Sequence, residues 1–492
     1  MSRAAHNSMD SNNKLLMKNS FYNVLYQLLN ITFPFITSIY VARVLMADSI
    51  GKVAAAQNIV QYFTILAAMG IPTYGIKLVA QFKIKSNDLD KAFSELFIIN
   101  LCLTVVSSVC YYMIIFFVPY FEGKHLIYAV TGFTLILNVI NVDWFYQGIQ
   151  EYGYIAKRSF VVKCIFLVLL IFFVNDQNDY VIYALLNSLA LVGNYLFNIV
   201  KLRRYVRLTI LNLKFKTHLN HIFALFGASI AAEVYVLADT TMLDIMCGSE
   251  IVGYYTMSMR IMRILRGLVV AVSAVFLPQL SNYYYSNEKE KFLFLTNKGL
   301  HILTVLSIPV AAGIILVADD AILTFFGSGY SQSILTTQVL AVSVISVALS
   351  NYIGMQILII LGKERITTLS TICGAVINIT LNYFLIVHFQ HFGAAIASAI
   401  TEASVTIIQI LLARKYVKFK FGLSNAAMAV SAMIIIVFGI HMIPIPRYTR
   451  LLMEIIGGIL SYGFVLLALK DSFALSAKNL VINFIRKKDN NV

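Results

Sequence analysis

Three arginines spaced by three, Arg260, Arg263 and Arg266, stand inside an apolar stretch that opens on Tyr254-Tyr255 and closes on Gly267. On a helix this spacing turns successive side chains by about 60° and raises them by about 4.5 Å, so all three share one arc of about 120°. A guanidinium keeps its charge at any physiological pH and forks onto phosphate or carboxylate oxygens. Such a face cannot meet lipid; it must line water, meet carboxylates, or both. The preceding apolar stretch supplies Glu233, Asp239 and Asp244, and a later one supplies Glu402. Counting from the ends of the two stretches, Glu233 and Arg266 both lie roughly 17 Å in, and Asp239 and Arg260 roughly 26 Å in. Depth therefore matches Glu233 with Arg266 and Asp239 with Arg260, leaves Arg263 with no obvious partner, and puts Glu402 about 12 Å in from the other side as a further carboxylate. Two readings stand. One is an ion network that locks helices together. The other is a water-filled cationic cavity in which Arg260, Arg263 and Arg266 receive an anionic group, while Glu233, Asp239 and Glu402 tune the cavity or take part in ion coupling. A voltage sensor also spaces arginines by three, but no pore or selectivity-filter sequence accompanies these.

Other reactive residues are sparse. Asp88-Leu89-Asp90 has the form of a carboxylate pair that holds a metal and sugar nucleotide, yet it stands among Lys83, Lys85 and Lys91 and reads as a solvated loop. The five cysteines, Cys102, Cys110, Cys164, Cys247 and Cys373, are scattered singly and read as small apolar core residues without disulfide or metal roles. No Walker A or HExxH sequence occurs, so neither ATP-driven transport within this chain nor zinc hydrolysis is supported. No cofactor, metal or catalytic residue is expected.

The elements that must position these residues follow from composition. Of 492 residues 59% are hydrophobic and 12% charged, against about 25% charged in a soluble domain. The solvent for most of this surface is a bilayer, which excludes a cytosolic enzyme, a nucleic-acid binder and a secreted scaffold. The first twenty residues are polar, so no cleavable signal peptide is expected. Fourteen apolar runs are long enough to cross a hydrocarbon core about 30 Å thick, among them 21–42, 53–75, 126–147, 221–246, 254–277, 334–361, 426–443 and 451–469. The fold class is an all-α integral membrane protein of about 14 transmembrane helices. With both termini placed in the cytoplasm, 29 of the 38 Lys and Arg residues fall in cytoplasmic segments and five on the opposite side. That contrast accounts for most of the formal charge of +15 as orientation and leaves nucleic acid no role. Trp144 and Tyr283, Tyr284 and Tyr285 fall near cytoplasmic ends, where an aromatic belt is expected.

The longest basic connection, 201–220, separates six spans from six. Ser49-Ile50-Gly51 corresponds to Ile251-Val252-Gly253, Phe121-Glu122-Gly123 to Phe325-Phe326-Gly327, and Gln147-Gly148 to Leu361-Gly362, each at the same topological place. A parallel repeat follows: a cytoplasmic tail at 1–20, an N-lobe at 21–200, the basic linker at 201–220 lying on anionic lipid, a C-lobe at 221–413, two added helices within 426–469 and a basic cytoplasmic tail at 470–492. Pro34, Pro72 and Pro309 fall within spans and kink them. Glu95, Asp143, Lys163 and Glu454 lie near span ends, from which their charges can reach the interface.

With these motifs in order the chain resembles the polysaccharide-unit flippases of Wzx type, which carry O-antigen and capsule units. They belong to the multidrug/oligosaccharidyl-lipid/polysaccharide exporter superfamily that also holds the MATE antiporters and lipid II flippases. The resemblance rests on Tyr40-Val41-Ala42-Arg43-Val44-Leu45 through Gly51, Asp143-Trp144-Phe145-Tyr146-Gln147-Gly148, Asp239 with Gly253-Tyr254-Tyr255, Phe326-Gly327 to Tyr330, Gly362-Lys363-Glu364, and Gly393-Ala394-Ala395 to Glu402. It implies a V-shaped pair of six-helix lobes around a cationic cavity. The implied substrate is an undecaprenyl-diphosphate-linked oligosaccharide, moved from the cytoplasmic to the periplasmic leaflet of the inner membrane by alternating access. It further implies membrane lipids, an H+ or Na+ coupling ion, and a polysaccharide polymerase with its chain-length regulator as partners. Two alternatives stay open: a cation-coupled exporter of small amphiphiles, against which three inward arginines argue, and a membrane-embedded polymerase, which would need large external loops that this chain lacks.

Overall fold

The computed structural model describes residues 2–82, 86–210, 213–421, 423–476 and 478–479. Lys83, Lys85 and most of the basic tail expected at 470–492 lie outside the described residues. Among the described residues the protein is helical and has no strand. Contacts divide it into two units, Met1–Gly253 and Tyr254–Val492.

The first unit holds α1 (Ser2–Ala68), α2 (Ile71–Val79), α3 (Asn87–Phe117), α4 (His125–Ile136), α5 (Asp143–Gly148), α6 (Tyr152–Phe173), α7 (Tyr180–Leu202) and α8 (Lys216–Cys247). Helix α9 (Ser249–Ala274) crosses into the second unit, which continues with α10 (Leu277–Tyr285), α11 (Lys289–Phe325), α12 (Ser333–Asn351), α13 (Glu364–Ala413), α14 (Leu423–His441) and α15 (Arg447–Ala468). Nine helical stretches among the described residues are long and apolar enough to cross a bilayer. Two of them carry two passes each: α1 breaks at Met46 and α13 at Gln390, where φ is +60° and +51°. Others are composite passes, α4 continuing through a 3₁₀ turn toward α5, and α12 through a π-helical turn at Tyr352–Leu358. Counted this way, the expectation of an all-α membrane protein of about 14 helices is borne out.

Several local expectations are corrected. The polar N-terminal segment expected as a tail is helical, continuous with the first pass in α1 from Ser2. Pro72 does not kink a span; the second pass ends at Met69 and Gly70, both at positive φ, and Pro72 opens α2, where a missing N–H costs nothing. Trp144 is no interfacial aromatic: it is 3% exposed, stacks on Phe93 at 5.4 Å, and occupies the space over Gly75 that a Cβ would need. The five cysteines are free, and Cys102, Cys110 and Cys164 are exposed rather than in the core. In a bilayer the outer surface of a bundle is as apolar as its interior, so hydropathy does not separate the two.

Corresponding glycines behave alike where the repeat predicts it. Gly123 and Gly327 both take positive φ, +73° and +94°, after a helix end. Gly362 does so as well, whereas beside Gly148 the left-handed position is taken by Gln150. Gly51 and Gly253 each lie against the other's segment: a Cβ on Gly51 would collide with the Ser249 carbonyl, and one on Gly253 with the Ala47 carbonyl. Helix α8, which the repeat reading groups with later helices, packs on α1, with Asn58 donating to the Leu237 carbonyl at 3.0 Å and to Thr241 Oγ1 at 2.7 Å.

The 201–220 connection is pinned to α3. Backbone N–H groups of Arg207, Thr209 and Lys214 donate to Asp90 Oδ1, Ser94 Oγ and Glu95 Oε1 at 2.9, 2.9 and 2.5 Å. Glu95 is buried and also meets His218 Nε2 at 2.7 Å, whose Nδ1 lies 2.9 Å from the Tyr74 hydroxyl. Glu95 therefore does not reach for the interface. Asp88 and Asp90 are in the first turn of α3, capped by Ser86, and not in a loop; there they complement the helix dipole. The side chains of Arg203, Arg204, Arg207, Lys214 and Lys216 remain exposed.

Candidate functional site

Helix α9 begins after Gly248, whose φ of +87° ends α8 and lets the chain start a new helix at once. One side of α9 is packed within its unit: Tyr254, Tyr255, Met257, Ser258, Ile261, Met262 and Val269 are buried. Hydroxyls tie that side to α12 and α13. Thr337 Oγ1 donates to Ser258 Oγ at 3.0 Å, Ser258 Oγ to the Ser333 carbonyl at 3.1 Å, and the Tyr255 hydroxyl lies 3.3 Å from Ser398 Oγ. The three arginines take the remaining arc. Arg260 and Arg266 are half-buried and Arg263 is exposed.

The arginines are not equivalent. Arg266 lies nearest the packed side, donating from Nη2 to Ser343 Oγ at 2.7 Å and pairing through Nη1 with Glu402 Oε1 at 3.7 Å. Its Nε is buried with no hydrogen-bond partner among the described residues. Arg263 forms no ion pair among the described residues. Glu402 thus supplies a carboxylate to the stripe from within the same unit. Ser343 was not foreseeable, because a lone serine in an apolar run carries no signal until its neighbour across the interface is known.

The other carboxylates lie on α8 in the first unit. Glu233 is exposed and Asp239 buried. Asp244 is taken up locally, accepting from the Tyr120 hydroxyl and, at 3.5 Å, from that of Tyr128. Two charges near span ends are partnered inside the unit. Asp143 binds Arg158 Nη1 at 3.0 Å, with Asn194 and Asn198 completing the guanidinium's shell, and Lys163 donates to Asn30 Oδ1 at 2.6 Å. Glu454 is fully buried in the second unit, against His441 at 2.9 Å.

Chemically, α9 offers fixed cationic donors at membrane depth, one oriented by Ser343 and Glu402 and one exposed. Nothing in that set is a nucleophile or general base; it can bind and orient an oxyanion.

Comparison with known proteins agrees in kind. A family described as polysaccharide biosynthesis protein matches residues 16–284. A protein of Shigella dysenteriae named as an O-antigen transporter is 20% identical over 389 residues, covering 77% of this chain and 96% of the relative. One of Escherichia coli K12 with the same name is 21% identical over 409 residues, 82% of this chain and 98% of the relative. The solved structure of the lipid II flippase MurJ in an inward closed conformation shares the fold at a TM-score of 0.72 and 12% identity, covering 94% of this chain and 100% of that one. The resemblance to Wzx-type flippases read from the motifs is borne out.

Proposed function

Because the chain belongs to the polysaccharide biosynthesis protein family, we propose that it is a flippase. Its substrate is an undecaprenyl-diphosphate-linked oligosaccharide repeat unit, which it carries from the cytoplasmic to the periplasmic leaflet by ion-coupled alternating access. The observation that carries this reading is the arginine stripe of α9, with Arg263 exposed and without an ion pair among the described residues and Arg266 keeping an unused buried donor.

The chemistry follows from the substrate's three parts. The diphosphate needs cations, and guanidinium forks at Arg260, Arg263 and Arg266 match its oxygens. Carrying a charge to mid-bilayer costs about 2.5–3.5 kcal/mol or more, which fixed cationic donors at that depth offset. The glycan needs a polar path, and the polyprenyl tail can stay in lipid. Glu402 orients Arg266 and lowers the local positive charge, so that the diphosphate is held without being trapped; Glu233 and Asp239 tune the charge further. The excess of Lys and Arg on one set of loops supports an inner-membrane topology with both termini cytoplasmic.

The test is reconstitution of purified protein with lipid-linked oligosaccharide, reading glycan exposure in each leaflet with and without an imposed ion gradient. Translocation that collapses on removing the diphosphate from the lipid supports the reading. Absence of lipid translocation together with gradient-driven export of a cationic dye replaces it with a drug exporter.

A further inference from the structure

In the second unit a second charged cluster stands apart from the α9 stripe, where the C-terminal ends of α11 and α14 meet the first turns of α15. Asp320, 1% exposed, is held bidentately by Arg450, Nε to Oδ2 at 2.5 Å and Nη2 to Oδ1 at 2.6 Å, with Arg447 Nε at 3.5 Å. His441 sits between the carboxylates: its Nδ1 is 2.9 Å from Glu454 Oε1 and its Nε2 is 3.8 Å from Asp319 Oδ2. The Glu454 side chain is 0% exposed and that of His441 34% exposed. Glu454 Oε2 is buried with no hydrogen-bond partner among the described residues.

Charge counting sets what this cluster can bind. Three carboxylates, Asp319, Asp320 and Glu454, face two guanidiniums, Arg447 and Arg450, so with neutral His441 the group carries one net negative charge. A buried carboxylate is costly in a low-dielectric setting, and one bound proton removes its charge. The spacing of Asp319, Asp320 and His441 would also suit a divalent cation, but both Asp320 oxygens are already engaged by Arg450. The partly exposed imidazole of His441 joins solvent to the buried acid.

We propose that Glu454 and His441 form a proton-binding site in which His441 takes a proton from solvent on Nε2 and passes the proton on Nδ1 to Glu454 Oε1, leaving the imidazole neutral and the carboxyl protonated. That this proton is the coupling ion of transport rests on the flippase reading; that it binds does not. On the proposed topology the site opens to the periplasmic side, so a proton-motive force loads it.

The full-length protein in lipid nanodiscs is followed by infrared difference spectroscopy over a pH titration. A protonated-carboxyl band that Glu454→Gln removes is expected, and His441→Gln, at a partly exposed position that tolerates change, is expected to move its midpoint by about one pH unit or more. In proteoliposomes a pH gradient is then expected to speed wild-type flipping, and Glu454→Gln to lose that acceleration. A band unaltered by both variants overturns the site, as does one whose titration requires added zinc chloride. A variant Glu454→Gln that still responds to the gradient overturns its role in coupling. The band present in a wild-type protein that flips no lipid leaves the proton site standing and removes the flippase reading instead.

Discussion

Arg263 carries a charge at membrane depth with no ion pair among the described residues, between two arginines of which Arg266 is already engaged by Ser343 and Glu402. If the stripe served only to lock helices, Arg263 would contribute like-charge repulsion and little else, and removing it would stabilise the protein without loss of transport. As a diphosphate contact it supplies a charge-assisted hydrogen bond worth about 1.5–3 kcal/mol. Arg263→Ala is then expected to slow flipping at subsaturating substrate by about 10- to 150-fold. Arg263→Lys keeps the charge but not the fork and falls between. Initial rates in proteoliposomes, normalised to correctly inserted protein, check both; a wild-type rate in Arg263→Ala would leave the stripe a structural feature.

At the scale of elements, close backbone approach and fastening of the added hairpin make separate demands. Gly253 lies so near the Ala47 carbonyl that any side chain collides with backbone, which cannot move as a side-chain tip could. Gly253→Ala should cost about 1–3 kcal/mol, seen as a lower midpoint in thermal unfolding in detergent, whereas Gly439→Ala, within α14 and with nothing near its Cβ direction, should leave the midpoint no lower. Helices α14 and α15 join α11 through an apolar seam that includes Val305, Met433 and Leu466, with the Tyr462 hydroxyl donating to the Val305 carbonyl at 2.6 Å. Beyond the end of α15, Asp471 receives His301 Nε2 at 3.0 Å and Asn425 Nδ2 at 3.0 Å. Burial pushes the Asp471 carboxyl up, but hydrogen bonds from Asn425, the Phe473 N–H and His301 outweigh it and hold it below the usual carboxylate range. Its stabilisation is thus complete above the unfolded value of about 3.9 and is lost as pH falls through the lower folded value. Asp471→Asn should unfold at lower temperature than wild type at pH 7, and the gap should close toward pH 3. A gap independent of pH would separate the effect from ionisation. These elements show where sequence stops being informative. The passes, the breaks near Met46 and Gln390 and the repeat-related glycines follow from hydropathy and local residue type. The partners of Glu95, Asp143 and Glu454 do not, because depth along a helix fixes one coordinate of a charge and leaves open which helix faces it. For the same reason the arginine arc was legible on α9 alone, but its contact with Ser343 was not.

For the whole molecule, the proposed alternating access requires that some interhelical contacts exist in one state and break in the other. The contact of α1 with α8 and the first turn of α9 has the features of such a joint: it is made of hydrogen bonds that Asn58 and Tyr62 form with Thr241 on α8, and, at the start of α9, a close approach of Gly51 to Ser249 and an Asp48 carboxylate accepting from Ser249. Polar contacts of this kind in a membrane have a modest net worth, on average about 0.6 kcal/mol each, so they can be exchanged for water at little cost when a path opens. An apolar seam of the same length would also separate, but without offering the departing surfaces groups that water can satisfy. Replacing Asn58 and Thr241 by cysteine places two thiols where side-chain atoms now lie 2.7 Å apart. Oxidation of Asn58→Cys/Thr241→Cys is expected to reduce flipping at least tenfold, and a reductant to restore the rate of the reduced double variant. Each single variant should be insensitive to oxidant. Full transport by the cross-linked protein would show that α1 and α8 move as one body, and the opening would then have to lie along other helices.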